Sequence, residues 1–190
     1  MTQGLLRRRS IVALLRRELV TEEDAATSAL MARVGQARRR GFLSRGEFLA
    51  MCRWKSPRAL RHYQRNAAGR VREASRRALA ARSERRRMEH LLVLDGVSVP
   101  VASAILTLLD PRRYGVLDIR AWQMLYAMRG VDANPAGRGF TVGQWLCYLE
   151  TLRWHASRLR VPARAVEYTL FLCHRKRQRG RLYDPPRKRR

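Results

Sequence analysis

Helix-capping signals recur at short intervals along this chain and leave little room for any fold but a helical one. Thr21 stands before Glu22, Glu23 and Asp24, an N-cap with acidic first-turn residues. The helix it opens should run to a stop at Arg38-Arg39-Arg40-Gly41. Ser44 with Glu47 forms a capping box ahead of the apolar stripe Phe48, Leu49 and Met51. Ser56-Pro57 starts a further helix with proline at its first position. Val71 to Arg82 reads as an arginine-rich, half-exposed helix, and Ser83 caps the next, with Met88, Leu91 and Leu92 on one face. The turn Leu94-Asp95-Gly96-Val97-Ser98 separates it from a small-residue helix over Pro100 to Leu109, which Asp110-Pro111 closes. Asp118 heads a helix reaching Arg129-Gly130. Thr141 caps one carrying Trp145, Leu146, Leu149 and Leu152, and Pro162 opens the last, with Val166, Leu170 and Cys173. No segment alternates with strand period, no repeat is present, and Val131 to Gly139 is the one long loop expected. The fold class is therefore all-α, a helical bundle.

Charge bounds the partners. Lys+Arg number 41 against Asp+Glu 15, a formal net charge of +26. A field of that sign attracts polyanions, and solubility alone rarely calls for it. A ribosomal-type protein or a merely solvated surface are the plainer readings. The basic residues are overwhelmingly arginine, which suits bidentate phosphate contacts and also follows from GC-rich coding. With 190 residues, 46% of them hydrophobic, the chain can build one core. We expect a single domain over 1–176 and a basic tail over 177–190, disordered until bound. Cys52, Cys147 and Cys173 are odd in number and far apart, too few for an iron–sulfur quartet and without zinc-finger spacing. Free thiols in a reducing cytoplasm are the expectation. The opening stretch GLLRRRSIVALLRRELV is broken by arginine every few residues, so it reads as an amphipathic helix and not as a signal peptide or membrane span.

The segment from Leu91 to Gly130 is the most informative. Two short helices, spanning 84–109, are joined by a glycine-containing turn, and a further stretch leads to an aspartate at a helix start. Gly96 permits a tight turn and a close backbone approach. The N–H groups of Gly96, Val97, Ser98 and Val99 then lie at the head of the second helix, where they can hold a phosphate. An ordinary αα-turn accounts equally well for the hairpin alone.

This region resembles the helix-hairpin-helix (HhH-GPD) DNA glycosylase superfamily, whose pattern is a hairpin L-P-G-V-G, an alanine-containing helix and then V-D before another helix. Leu94-Asp95-Gly96-Val97-Ser98 is similar to the hairpin, Ala102 and Ile105 to the helix, and Leu117-Asp118-Ile119-Arg120-Ala121-Trp122 to the aspartate segment. The resemblance covers Met88 to about Arg129, and it departs from the pattern at Asp95 and Ser98. It implies catalysis by Asp118 on an extruded base and backbone contacts from the hairpin and Arg120. It also implies a monovalent cation at the hairpin carbonyls, with no cofactor required for chemistry and no metal in the reaction. Members with lyase activity carry a lysine near the start of the second hairpin helix, where this chain has Pro100. The resemblance therefore implies a glycosylase without lyase activity that leaves an abasic site. An aspartate suits this reaction on chemical grounds, because breaking an N-glycosidic bond builds positive charge on the sugar. Asp118 can also be the N-cap of its own helix, worth about 1 kcal/mol, but the hairpin upstream favours the catalytic role.

The upstream stretch GFLSRGEFLAMCRWKSPRALRHY resembles small prokaryotic proteins grouped with the 8-oxoguanine glycosylase fold, some linked to defence against phages with modified DNA. Within it Arg53, Trp54, Lys55 and Arg58 are candidates to line a base pocket, since a flipped base needs a flat surface and edge contacts. Trp54 reads equally as a core residue between two helices. Trp122, Trp145, Tyr148 and Trp154 sit at helical spacing and read as core, and no histidine is assigned. Glu47 and Glu150 are the remaining carboxylates that could donate a proton to a leaving base. The expected protein is a cytoplasmic monomer acting on double-stranded DNA with a damaged base or a hypermodified phage cytosine, without membrane contact. A non-enzymatic helix-hairpin-helix DNA- or RNA-binding protein is the alternative.

Overall fold

The computed structural model describes residues 2–178, with side chains from residue 10 onward. Most of the basic tail expected over 177–190 lies outside the described residues. The chain forms α1 (Thr2–Glu18), α2 (Ala25–Arg40), α3 (Arg45–Lys55), a 3-10 turn (Pro57–Ala59), α4 (Leu60–Tyr63) and α5 (Ala68–Ala80). It continues through α6 (Glu84–Leu92), α7 (Val99–Leu109), α8 (Ile119–Ala127), α9 (Val142–Leu159) and α10 (Ala163–Arg177). Among the described residues there is no strand, and no helix is long and apolar enough to cross a membrane.

The capping chemistry explains most boundaries. Ser44–Glu47 and Thr141–Gln144 both close full capping boxes, and the Ser83 hydroxyl accepts from the Arg86 N–H. Three starts differ from expectation. Asp24, not Thr21, caps α2: its Oδ1 accepts the Thr27 N–H at 2.9 Å and its Oδ2 the Thr27 hydroxyl at 2.7 Å. Thr21 is left out because the preceding chain is held elsewhere, the Val20 N–H donating to Thr169 Oγ1 of α10 at 3.0 Å. Ser56 makes no capping bond, so Pro57 opens only the 3-10 turn. The Arg-rich helix begins at Ala68, three residues before its expected start.

The sequence VPVASAILTLL is apolar all round, and a helix of that kind has to be surrounded. It is: in α7 every residue but Pro100 is buried, and the helix packs against α2, α3, α6 and α9. A second group forms where α10 packs on α1, α8 and α9. The extended segment Tyr114–Asp118 links α7 to α8 and so runs between the two groups. Its backbone is tied on both sides. Ser103 Oγ accepts the Leu117 N–H at 2.8 Å, Glu167 Oε2 accepts the Val116 N–H at 3.1 Å, and the Tyr148 hydroxyl donates to the Val116 carbonyl at 2.9 Å. At the far end of α6, Glu84 accepts from Tyr114, Arg113 and Arg153, each at 2.8 Å, fixing the helix against the same segment and against α9.

Candidate functional site

Asp118 sits at the end of this clamped segment, as the N-cap of α8. Its two oxygens do different things. Oδ1 accepts the Arg120 N–H at 2.9 Å, the ordinary work of a cap. Oδ2 accepts from Lys55 Nζ at 2.8 Å, across 63 positions of sequence. Lys55 is the last residue of α3, and both side chains keep limited access to solvent, 15% for Lys55 and 19% for Asp118. Burial works to raise the Asp118 carboxyl, but the charge of Lys55 and the bonds from Lys55 and Arg120 outweigh it and hold the group below its ordinary value. Asp118 is thus a carboxylate at neutral pH.

Both residues line a cavity of about 280 Å³, whose walls include Trp54, Glu167, Tyr168 and Phe171. That volume lies just below the usual range of ligand clefts, about 300 to 1,000 Å³. It suits a small planar group. Trp54 is fixed by its Nε1, which donates to Thr27 Oγ1 at 3.0 Å, so its ring is both packed and presented to the cavity. Tyr168 and Phe171 stack on one another with centroids 6.2 Å apart.

Behind these rings lies a buried ionic chain. Arg164 donates to Glu23 Oε1 at 2.5 Å and to Glu167, and its guanidinium lies over the Tyr168 ring at 4.6 Å. Glu167 is 1% exposed. Burial raises its carboxyl above the ordinary value, with Arg164 opposing. Its oxygen accepts from both Arg164 and the Val116 N–H, so Glu167 serves to anchor the segment that carries Asp118.

The structure brings together only part of the sequence-derived set. Trp54, Lys55 and Asp118 meet in one cavity. Arg53 is exposed and lines a separate shallow concavity with Arg33 and Ala50. Arg58 is exposed on the 3-10 turn and does not line the cavity. Helical geometry explains both: Arg53 is one residue before Trp54 and so about 100° around α3, and the helix has ended before Arg58. Arg120 stands beside the cavity, its Nε donating to Gln178 Oε1 at 3.2 Å and its guanidinium over the Phe171 ring at 5.4 Å. Glu47 is committed to its capping box and to Arg40. Glu150 lines a different, larger cavity with Trp122 and Trp154. Neither glutamate lines the cavity of Asp118.

The hairpin residues also divide. Gly96 has φ +80°, and a Cβ there would lie 2.8 Å from His62 Cβ, so glycine is needed for the close approach of α4 as well as for the turn. Val97 does not present its N–H outward: that group donates to the Leu94 carbonyl at 3.1 Å and its side chain is buried. Ser98 is exposed and caps α7 without a side-chain bond, which leaves the first-turn N–H groups from Val99 onward without an intrahelical acceptor. The Val99 side chain is buried, so only its backbone can contribute. Asp95 is held by Asn66, which donates to its carbonyl at 3.0 Å and accepts its N–H at 2.9 Å. The Asp95 carboxylate pairs with Arg70 at 3.3 Å, and Arg70 also donates to the Val93 carbonyl. Arg70 therefore already supplies positive charge against the turn, and the residues present do not suit an additional monovalent cation there. Among the described residues no three His, Cys, Asp or Glu side chains gather as metal ligands.

Sequence reasoning missed the α10 contribution. Arg164, Glu167, Tyr168, Phe171 and Arg175 recur at helical spacing on one face and all line the cavity. The sequence signal was Arg164 and Glu167 at i, i+3, continued at the same helical spacing by the aromatic pair Tyr168 and Phe171. No protein-family model, curated protein or solved structure matches this chain.

Proposed function

We propose that the chain is a DNA glycosylase that extrudes a base into the Trp54–Asp118 cavity and hydrolyses its N-glycosidic bond. One observation carries the reading: an ionised Asp118 at the wall of a small aromatic cavity, on a segment clamped from three sides. Bond cleavage leaves positive charge on the sugar. A carboxylate that cannot relax away stabilises that charge without reorganisation, and it can orient the attacking water. The rings of Trp54, Tyr168 and Phe171 offer flat surfaces for a base, and the Lys55 ammonium is placed to meet a departing anion.

The α6–α7 turn serves in this reading as a helix-hairpin-helix contact to phosphate, through the first-turn N–H groups of α7 at Ser98–Val99. Arg120 holds a phosphate beside the flipped nucleotide, and the net charge of +26 supplies the general attraction for duplex DNA. The protein acts as a cytoplasmic monomer on a damaged or modified base, with a hypermodified phage cytosine the favoured class. The capping bond from the Arg120 N–H to Asp118 favours the rival reading of a non-enzymatic nucleic-acid-binding protein. Incubation with a panel of duplexes bearing damaged or hypermodified bases, phage DNA among them, followed by alkali, separates the two. Strand breaks at the modified base once alkali has been added support base release, whereas binding without breaks in any duplex supports the rival.

A further inference from the structure

Of the 41 basic residues, only Lys55, Lys176 and Lys188 are lysine. Lys176 is exposed and reaches Glu18 at 3.4 Å, and Lys188 lies outside the described residues. Arginine is the cation in the ion pairs to Glu23, Glu47, Glu73, Glu84, Asp95, Asp110 and Glu167. Arginine would also be the better partner for a purely structural bridge to Asp118, because its planar fork meets a carboxylate with two bonds. What arginine cannot do is give up its proton and become a nucleophile. Lysine can, and the chain places one against the carboxylate that heads α8 at the wall of the cavity.

We propose that the chain also cleaves the DNA strand at abasic sites, with Lys55 as the amine that forms the covalent intermediate. The substrate class rests on the glycosylase reading; the test does not. Pro100 leaves the second hairpin helix without an amine, but α3 packs directly against that helix and delivers one from its last residue.

The steps balance without a further reactant. The electron pair of the N-glycosidic bond leaves with the base, which takes a proton from the Lys55 ammonium. The neutral amine adds to the sugar C1′. The C1′–O4′ bond then opens, O4′ taking one nitrogen-bound proton, and leaves an iminium between C1′ and Nζ. Asp118 accepts the acidified C2′ proton, and the released electron pair expels the 3′-phosphate by β-elimination. Water hydrolyses the iminium and frees Lys55. On a preformed abasic site the amine condenses with the C1′ aldehyde, and one water leaves.

The experiment uses a duplex carrying a preformed abasic site and borohydride, so no base has to be released. The wild-type chain should give a covalent protein–DNA adduct, and peptide mapping should place it on Lys55. Lys55→Arg keeps a cation beside Asp118 yet cannot form the iminium, so its adduct should fall to the protein-free background. Lys55→Gln should do the same, and thermal melting of both variants confirms that they fold. Lys176→Ala should trap like wild type. An absent wild-type adduct, or one that persists in folded Lys55→Arg, overturns the proposal. Base release measured separately keeps the readings apart: release without trapping leaves the glycosylase standing and removes the lyase, and trapping without release does the reverse.

Discussion

The Ser103 hydroxyl accepts the Leu117 N–H at 2.8 Å and donates to the Pro100 carbonyl at 2.7 Å. One side chain of α7 thereby ties the first turn of its own helix to the residue before Asp118. The group that would meet phosphate and the group that would meet the sugar are fixed to each other by a single buried hydroxyl. Ser103→Ala leaves the buried Leu117 N–H without its acceptor, at a cost of about 1–3 kcal/mol. Urea unfolding should show that loss. Base release should fall by more than DNA affinity, because the position of Asp118 is disturbed and the phosphate contacts are not. An equal fall in both would show that Ser103 serves stability alone.

Gly96→Ala should be among the most harmful single-methyl additions in the chain. The new Cβ would lie 2.8 Å from His62 Cβ and 3.0 Å from the Tyr63 ring, at φ +80°. The backbone strain alone costs on the order of 1–3 kcal/mol. Thermal unfolding reads this directly, and a variant as stable as wild type would mean that the turn and α4 move apart freely.

The pH profile of base release follows from the Asp118 environment. Its carboxyl is depressed in the folded chain below the ordinary 3.8, despite burial, because Lys55 and the Arg120 N–H favour the charged form. A depressed carboxyl contributes stability that is fully present above the unfolded value and is lost as pH falls through the folded one. Activity and this part of the stability should therefore show no loss from Asp118 between neutral pH and about pH 5, with its acid limb below the ordinary carboxylate range. In Lys55→Gln, which removes the principal opposing charge, the acid limb of this stability contribution should move upward. A limb that stays in place would show that Lys55 does not set the ionisation of Asp118.

Binding to duplex DNA should depend steeply on salt, with a log–log slope of about 0.9 for each phosphate neutralised. Residues 180–190 carry Arg181, Arg187, Lys188, Arg189 and Arg190. Their deletion should make the slope shallower while leaving single-turnover base release from saturated enzyme unchanged. A slope unaffected by the deletion would assign this segment some other role.

Capping residues and apolar periodicity are local signals, and the all-helical fold was legible from them. Ser44, Ser83, Asp118 and Thr141 all cap where their spacing to the next residues requires. Thr21 was misread because the competing Asp24 lies only three residues on, and the choice was made by a distant bond to Thr169. The site was legible in pieces. Trp54 and Asp118 stood out as residue types with a motif or a chemistry attached. That Lys55 meets Asp118 depends on how α3 closes against the 114–118 segment, a long-range fact that no spacing in the sequence encodes. The α10 face was hidden for the same reason. Arg164 and Glu167 look like a surface pair at i, i+3, and only packing shows that both are buried.

The most direct test of the central claim compares wild type with Asp118→Asn on a duplex from which wild type releases a base. The asparagine oxygen can still accept the Arg120 N–H, so the cap and the fold are kept while the negative charge is lost. Released base is measured by mass spectrometry under single-turnover conditions, and DNA affinity by titration of the same duplex. Release should disappear while affinity stays within about a few-fold, since the charge is needed only as the sugar becomes cationic. Base release by Asp118→Asn at the wild-type rate would contradict the assignment of Asp118 as the catalytic group.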